Sequence, residues 1–300
     1  MYDVMLDEAN LWHHEHEQEP PLRKRKIEEA PPPSPVEDVY FSDEEDPEEQ
    51  EKYRLQVVES CGFDVDYCNH TYNGIMPGGC SPYDKLFAKA GLHCYNLEKG
   101  KKLEFRSLVK VNSEIGSLYN PYSTSEVMDP INNSIHTFQT LVTDAGYDNK
   151  ARLILVTKIC RIKPQVPGMG DATVFWDLDA IDDFYKGDMP DWPPNDDKLQ
   201  FYEVNGLELP DNEWLHLYAE VALFSEWADD LSAYMPFEMK KVVVQTREDV
   251  ESSMKLKSRN AIFYMSFKIR GGRECRGIVR RTSDGRTGHM CLEARCWIDK

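Results

Sequence analysis

The fold is decided by a stretch near the end of the chain, AIFYMSFKIRGGRECRGIVRRT, which spans residues 261–282. Its first half places apolar side chains at every second position, on one face of a β-strand: Ala261, Phe263, Met265, Phe267 and Ile269. Gly271-Gly272 and the later Ser283-Asp284-Gly285 are typical of tight hairpin turns. The pattern therefore predicts three antiparallel strands, at about 259–269, 273–282 and 288–298.

A strand at about 237–246 and a helix are expected before these three strands. Pro210-Asp211-Asn212 is typical of a helix start, with Asp211 as the N-cap. One apolar stripe follows at helical spacing: Trp214, Leu217, Val221, Phe224 and Ala228. The last part of the chain is therefore expected to form one helix followed by four strands.

The same order of elements occurs earlier in the chain. Ser81 is the expected N-cap of a helix, with Pro82 and Asp84 in its first turn. Gly100 ends this helix. Four strand-like runs follow it, at about 103–112, 119–128, 135–143 and 151–161.

The repeat predicts an α+β fold made of two tandem modules. In each module, one helix packs on a four-stranded antiparallel sheet and so buries its apolar stripe. The predicted modules span residues 51–164 and 211–300. The segment between them, residues 165–210, is rich in Asp, Pro and Trp and lacks the spacing of a calcium-binding EF-hand loop. It is expected to be an acidic linker with a short helix.

Residues 1–50 differ sharply from the rest of the chain. They hold 16 acidic and 4 basic residues and 7 of the 18 prolines, so a disordered acidic tail is predicted. The basic run Arg23, Lys24, Arg25 and Lys26 is a candidate nuclear import signal, and Ser42, which precedes four acids, is a candidate phosphorylation site. Histidines at 13, 14 and 16 lie in the same tail, where no fixed geometry would hold a metal ion.

Composition excludes several classes of protein. The 300 residues carry a net charge of −18, which disfavours nucleic acid and membrane surfaces as partners of the whole chain. The longest apolar runs are strand-sized and residues 1–30 lack a basic flank followed by an apolar run, so neither a transmembrane helix nor a secretory signal is expected. The eight cysteines form no CxxC pair. A cytoplasmic and/or nuclear protein with reduced thiols is therefore expected.

Five strings of sequence resemble a known family. They are GLHCYNL (91–97), DDFYKG (182–187), NAIFY (260–264), RRTSDGR (280–286) and HMCLE (289–293). Together they are similar to a large plant family of unassigned function that is sometimes labelled cystatin-related. The resemblance covers about residues 50–300 and implies that both modules are cystatin-like. It implies no activity.

Cystatins inhibit papain-like proteases through a first loop that contains Gln-x-Val-x-Gly and a second that carries Pro-Trp. The matching first loop here has Glu114 in place of Gln and Gly116 in place of Val. The second-loop region, residues 144–150, has no Trp. Glu114, Ile115 and Gly116 are kept as candidate partner contacts, and cysteine-protease inhibition is kept as the alternative function.

No sequence motif indicates catalysis. The chain contains no Gly-x-Ser-x-Gly elbow, no His-Glu-x-x-His and no phosphate-binding loop. His289 and Cys291 would share one face of a strand, where a nucleophile and base are geometrically possible, but buried structural thiols are more common there. No catalytic residue, cofactor or metal is therefore assigned.

The last 50 residues are basic although the whole chain is acidic. They carry 12 basic and 5 acidic residues. Arg276 and Arg280 share one face of a strand by parity, Arg281 lies on the other, and Arg286 falls in a turn. With few aromatic residues between them, these arginines favour an acidic surface over nucleic acid, either in the middle of the same chain or on a protein partner, and a solvated face is the alternative. The sequence thus predicts a non-catalytic protein that binds a protein partner through Arg276, Arg280 and Arg286 and the hairpin loops.

Overall fold

The structure is a computed structural model, and it describes residues 47–66, 74–114, 119–146, 152–166, 176–192, 201–206, 208–226, 231–248 and 250–298. Ten antiparallel strands form one sheet. The strands are β1 (Ile75–Gly78), β2 (Glu104–Glu114), β3 (Pro121–Asp129), β4 (Ser134–Asp144), β5 (Leu153–Ile162), β6 (Phe201–Glu203), β7 (Glu238–Gln245), β8 (Ala261–Lys268), β9 (Glu274–Thr282) and β10 (Met290–Ile298). The α-helices are α1 (Pro47–Ser60), α2 (Pro82–Lys99), α3 (Trp214–Glu226) and the single turn α4 (Ser252–Lys255).

The order of strands across the sheet is β1-β2-β3-β4-β5-β10-β9-β8-β7-β6. The first five strands fill one half and the last five fill the other. β5 and β10 meet in the middle, where Met290–Ala294 pairs with Leu153–Thr157. The sheet therefore continues without a break from one half to the other.

The predicted fold of two tandem cystatin-like modules, each with a four-stranded sheet, is wrong. The structure has one sheet and one main core, because β5 and β10 pair instead of forming the edges of separate sheets. The helices of the two halves also touch, since Lys89 of α2 binds Glu220 of α3 at 2.8 Å. Tyr83 of α2 packs edge-on against Phe224 of α3, with ring centroids 5.0 Å apart.

Helix α2 begins and ends where the sequence predicts. The Ser81 side chain caps the Asp84 amide, and the Asp84 carboxylate accepts the Ser81 amide at 2.7 Å. Gly91 lets the helix lie very close to the sheet, because a Cβ atom there would stand 2.6 Å from Thr140 Cγ2. The turn of α2 that follows is thereby held against β4 and β5.

Helix α3 begins later than predicted, and Asp211 is not its cap. Pro210–Asn212 forms a separate turn of 3-10 helix, and the α-helix starts at Trp214. Its buried side chains include Leu215, Leu217 and Val221. Pro210 and Asn212 thus lie in the turn that precedes α3 and not in the first turn of that helix.

Gly277 of β9 gives α3 the close approach that Gly91 gives α2. A Cβ atom at Gly277 would lie 2.7 Å from the Ala222 Cβ of α3. We expect Gly277→Ala to lower the free energy of unfolding by about 1–3 kcal/mol, since helix and strand must then separate. Gly277→Ala combined with Ala222→Gly should cost less than the two changes summed, in urea titrations. Gly79→Ala, with open space around it, is the control, and an equal loss there would contradict the prediction.

Two chain segments cover the face of the sheet opposite α2 and α3. Phe63, which follows α1, packs with Leu141 and Ile159 under the first half. The segment 176–192 lies under the second half, where Ile181 and Tyr185 are buried with Tyr264. Part of the predicted linker 165–210 therefore contributes to a second apolar cluster. Residues 47–50 of the predicted tail form the first turn of α1.

Candidate functional site

A cleft of about 150 Å³ opens between the C-terminal turn of α2 and two loops of the second half of the chain. One loop joins β7 to β8 and the other, residues 283–289, joins β9 to β10. The lining residues are Cys94, Leu97, Glu98, Lys257, Arg259, Ser283, Gly285, Arg286, Thr287, His289 and Met290. The cleft therefore brings together residues that are almost 200 positions apart in the sequence.

Arg281 supports the β7–β8 loop from inside the core. Its guanidinium is fully buried and donates to the backbone carbonyls of Leu256 and Ser258, the first at 2.8 Å. It also donates to the Tyr218 hydroxyl of α3 at 2.9 Å. Since Lys257 lies between the two bonded carbonyls, the buried arginine fixes the backbone of the loop that carries the rim of the cleft.

Asp284 organises the β9–β10 loop. Its carboxylate accepts the amides of Asp177 and Arg286, each at 3.0 Å, and faces His289 Nδ1 at 2.9 Å. Burial alone would raise the pKa of Asp284, but these hydrogen bonds bring the pKa below its ordinary value. The ring of Trp176 stacks on His289, with centroids 5.1 Å apart and planes 10° apart. The Asp284 carboxylate and the His289 imidazole thus hold the conformation of the β9–β10 loop.

Glu98 of α2 ties the β9–β10 loop to the first half of the chain. Its carboxylate accepts the Gly288 amide at 2.7 Å and pairs with Lys99 at 2.8 Å. Gly288 has φ +78°, a conformation that glycine adopts without strain. Glu98 is the acid among the lining residues, and its charge is bound within the chain.

Three basic side chains stand on the rim of the cleft. Lys257, Arg259 and Arg286 are all exposed, and they come from the two loops. Arg259 Nη1 reaches the Gly285 carbonyl at 3.4 Å, and the Asn260 side chain accepts the Ser283 amide at 2.9 Å. The two loops are thereby joined, and they hold the three cations around one opening.

The chemistry of the cleft does not favour nucleophilic catalysis. A hydrogen bond with the Cys160 thiol, together with burial, holds the pKa of Cys94 well above its ordinary value. Burial raises the pKa of Cys291 to about 12. Since the thiolate is the nucleophile, neither thiol is activated, and the His289 imidazole is bonded to Asp284. What the cleft offers is positive charge on two loops that hydrogen bonds join.

The structure separates the three arginines that the sequence grouped as partner contacts. Arg286 lies on the rim of the cleft. Arg276 lies on the opposite face of the sheet, 5.5 Å from the centre of the Trp192 ring. Arg280 is only 5% exposed and is bonded to Glu293. Lys257 and Arg259 were not predicted as site residues, although basic residues occur at every second position from Lys255 to Arg259.

Other predicted site residues lie at the end of a strand or outside the described residues. Glu114 is the last residue of β2, opposite Ile75. Ile115 and Gly116 lie outside the described residues, as do Arg23, Lys24, Arg25, Lys26 and Ser42. The nuclear import signal, the phosphorylation site and the cytoplasmic or nuclear location stay predictions from the sequence.

In the part of the chain that the structure describes, no three His, Cys, Asp or Glu side chains come together as a metal ion would require. Within the same residues, no helix is both long enough and apolar enough to cross a membrane.

Comparison with known proteins gives the family. The family model "Protein MS5" matches residues 189–292. UPF0725 protein At4g29550 of Arabidopsis thaliana is 40% identical over 276 residues, which cover 85% of this chain and 77% of the relative. UPF0725 protein At3g44770 of the same plant is 39% identical over 273 residues, which cover 86% of this chain and 85% of the relative.

A solved structure is also similar. The crystal structure of MS5 from Brassica napus superposes with a TM-score of 0.59 at 26% identity, over 74% of this chain and 100% of that one. The resemblance to a plant family of unassigned function is confirmed by these relatives, whose names indicate no relationship to cystatins. The chain belongs to the plant protein MS5 family, UPF0725.

Proposed function

We propose that the chain acts without catalysis and binds an acidic segment of another protein in the cleft between α2 and the two loops. The observation that carries this proposal is the rim of Lys257, Arg259 and Arg286, three exposed cations held by hydrogen-bonded loops. Carboxylates are the natural partners of such a rim, because Arg binds them through two parallel hydrogen bonds.

The charge distribution supports a short acidic segment over a nucleic acid. The chain as a whole carries −18, so a long polyanion would be repelled outside the cleft. A cleft of about 150 Å³ takes a few side chains at a time. The raised pKa values of Cys94 and Cys291 support the absence of an activated catalytic thiol.

Binding of a fluorescein-labelled oligo-glutamate peptide, followed by fluorescence anisotropy, tests the proposal. We expect saturable binding that weakens with salt, and no binding of oligo-glutamine of equal length. Arg259→Glu with Arg286→Glu should raise the Kd about tenfold or more, because two attractions become repulsions.

The control is Arg273→Glu, which changes one exposed charge in the turn between β8 and β9. It should leave the Kd within about twofold of wild type. If Arg273→Glu weakened peptide binding equally, the peptide would be attracted by the net charge of the protein and not by the cleft. Tighter binding of a single-stranded DNA oligonucleotide of equal charge would favour a nucleic-acid partner instead.

A further inference from the structure

Two thiols meet beneath the cleft. Cys94 of α2 lines the cleft, and its side chain is hydrogen-bonded to that of Cys160 of β5. Cys94 is 4% exposed and Cys160 is 9% exposed. The pair therefore lies within the fold while one of its members forms part of the wall of an open cavity.

The close approach of α2 to the sheet brings these cysteines together. Gly91 lies directly over Thr140, where a Cβ would be 2.6 Å from Thr140 Cγ2. Thr140 is the cross-strand partner of Cys160, and Cys94 follows Gly91 by one helical turn on the same face. Helix α2 therefore lies close to the strand pair at the position of Cys160, and both cysteines belong to the main core.

Gly288 leaves room above the sulfur of Cys160. A Cβ placed on Gly288 would lie 3.6 Å from Cys160 Sγ, so the β9–β10 loop rests directly on this thiol. Cys94 lines the cleft and Cys160 does not, so a small oxidant that enters the cleft meets Cys94 first.

We propose that Cys94 and Cys160 form a reversible disulfide when a peroxide enters the cleft, which makes the pair a redox modification site. Cys94 sulfur attacks one peroxide oxygen, the O–O bond breaks, and Cys94 becomes a sulfenic acid while water leaves. Cys160 sulfur then attacks Cys94 sulfur, the S–O bond breaks, and a second water leaves. Two thiols are oxidised by two electrons, and hydrogen peroxide is reduced to two waters.

The disulfide would fasten the C-terminal turn of α2 to β5, directly below the β9–β10 loop. Glu98, in the same turn, already holds the Gly288 amide. The reaction requires the thiolate, and the pKa of Cys94 is raised, so linkage is expected to be faster at about pH 9 than at about pH 7.

A second thiol pair in the chain is an internal comparison. Cys275 of β9 and Cys296 of β10 are also buried and hydrogen-bonded to each other. They are diagonal neighbours across the two strands, because Cys296 lies opposite Gly277 and Cys275 lies opposite Ile298. Diagonal Cβ atoms are about 7 Å apart, which is too far for an unstrained disulfide, and neither residue lines the cleft.

The test uses the full chain with Cys80→Ser, which removes an exposed thiol. The protein is treated with hydrogen peroxide, alkylated, digested and examined by mass spectrometry. We expect a peptide pair joined through Cys94 and Cys160 that dithiothreitol separates, formed before any link between Cys275 and Cys296. The added change Cys160→Ser should abolish the link, whereas Cys291→Ser, at a half-buried thiol outside the pair, should preserve it.

Circular dichroism checks that each variant is folded. If Cys160→Ser does not fold, the protein that keeps both Cys94 and Cys160 still tests the proposal. The proposal is overturned if Cys94 remains open to alkylation on unfolding after treatment, or if it is oxidised to sulfinic acid without a link. Because the link is read by mass, the result is independent of whether oligo-glutamate binds.

Discussion

Arg281→Ala is expected to lower the free energy of unfolding by about 3–5 kcal/mol. The arginine side chain is fully buried, so truncation leaves a cavity in the main core. It also leaves the carbonyls of Leu256 and Ser258 without the donor they have now. A buried acceptor that loses its partner costs about 1–3 kcal/mol.

The aromatic rings around Arg281 add to the expected loss. The guanidinium carbon lies 4.9 Å from the centre of the Phe263 ring, 5.5 Å from that of Trp214 and 5.8 Å from that of Tyr218. These ring faces stabilise a desolvated cation. The nearby His93 stays neutral, because burial and the charge of Arg281 lower its pKa to about 3.

Urea titration of Arg281→Ala, Arg281→Met and Arg295→Ala measures this contribution. Arg281→Met fills most of the volume and should recover part of the loss, while still leaving the two carbonyls unpaired. Arg295 is exposed, so Arg295→Ala should change stability by about 0.5 kcal/mol or less. If Arg281→Ala matched Arg295→Ala, the buried arginine would not be a main support of the core.

The strands and the first long helix could be predicted from the sequence because their signals are local. The alternation from Ala261 to Ile269 marks β8, and the capping box at Ser81 and Asp84 marks α2. Their observed bounds differ from the predicted ones by a few residues at most. Local pattern and final structure agree in these elements because each buries one face.

The joining of the two halves could not be predicted in this way. Nothing in the local sequence of β5 or β10 states that Leu153–Thr157 pairs with Met290–Ala294. Pairing between strands more than 100 residues apart is a property of the tertiary structure. The short strands β1 and β6 were missed for a related reason, since four and three residues carry too little periodicity.

The candidate site could be predicted only in part. Parity correctly placed Arg276 and Arg280 on one face of β9 and Arg281 on the other. The alternation of side chains along β9 does not tell which face of the strand is covered. The segment 176–192 covers the face that carries Arg280. A charged residue in a strand thus became an internal support, while Arg286, in the turn, remained exposed.

Glu293→Gln is expected to lower the free energy of unfolding by about 2–4 kcal/mol. Glu293 lies on β10 and is 9% exposed. It binds Arg280 Nε of β9 at 2.9 Å and, across the junction of the two halves, Arg152 Nη1 at 3.0 Å. Removing the negative charge leaves a buried guanidinium without its counter-ion, which costs more than the ion pair itself contributes.

The effect should reach the segment that covers the sheet, because Arg280 Nη2 also donates to the Gly187 carbonyl at 2.7 Å. We therefore expect faster amide hydrogen exchange around Gly187 in Glu293→Gln, together with a lower urea midpoint. The matched control is Glu274→Gln on β9, an exposed carboxylate that should change stability by about 0.5 kcal/mol or less. Equal stability of the two variants would show that the Arg152–Glu293–Arg280 cluster does not hold the halves together, and unchanged exchange at Gly187 would show that Arg280 keeps its place without its counter-ion.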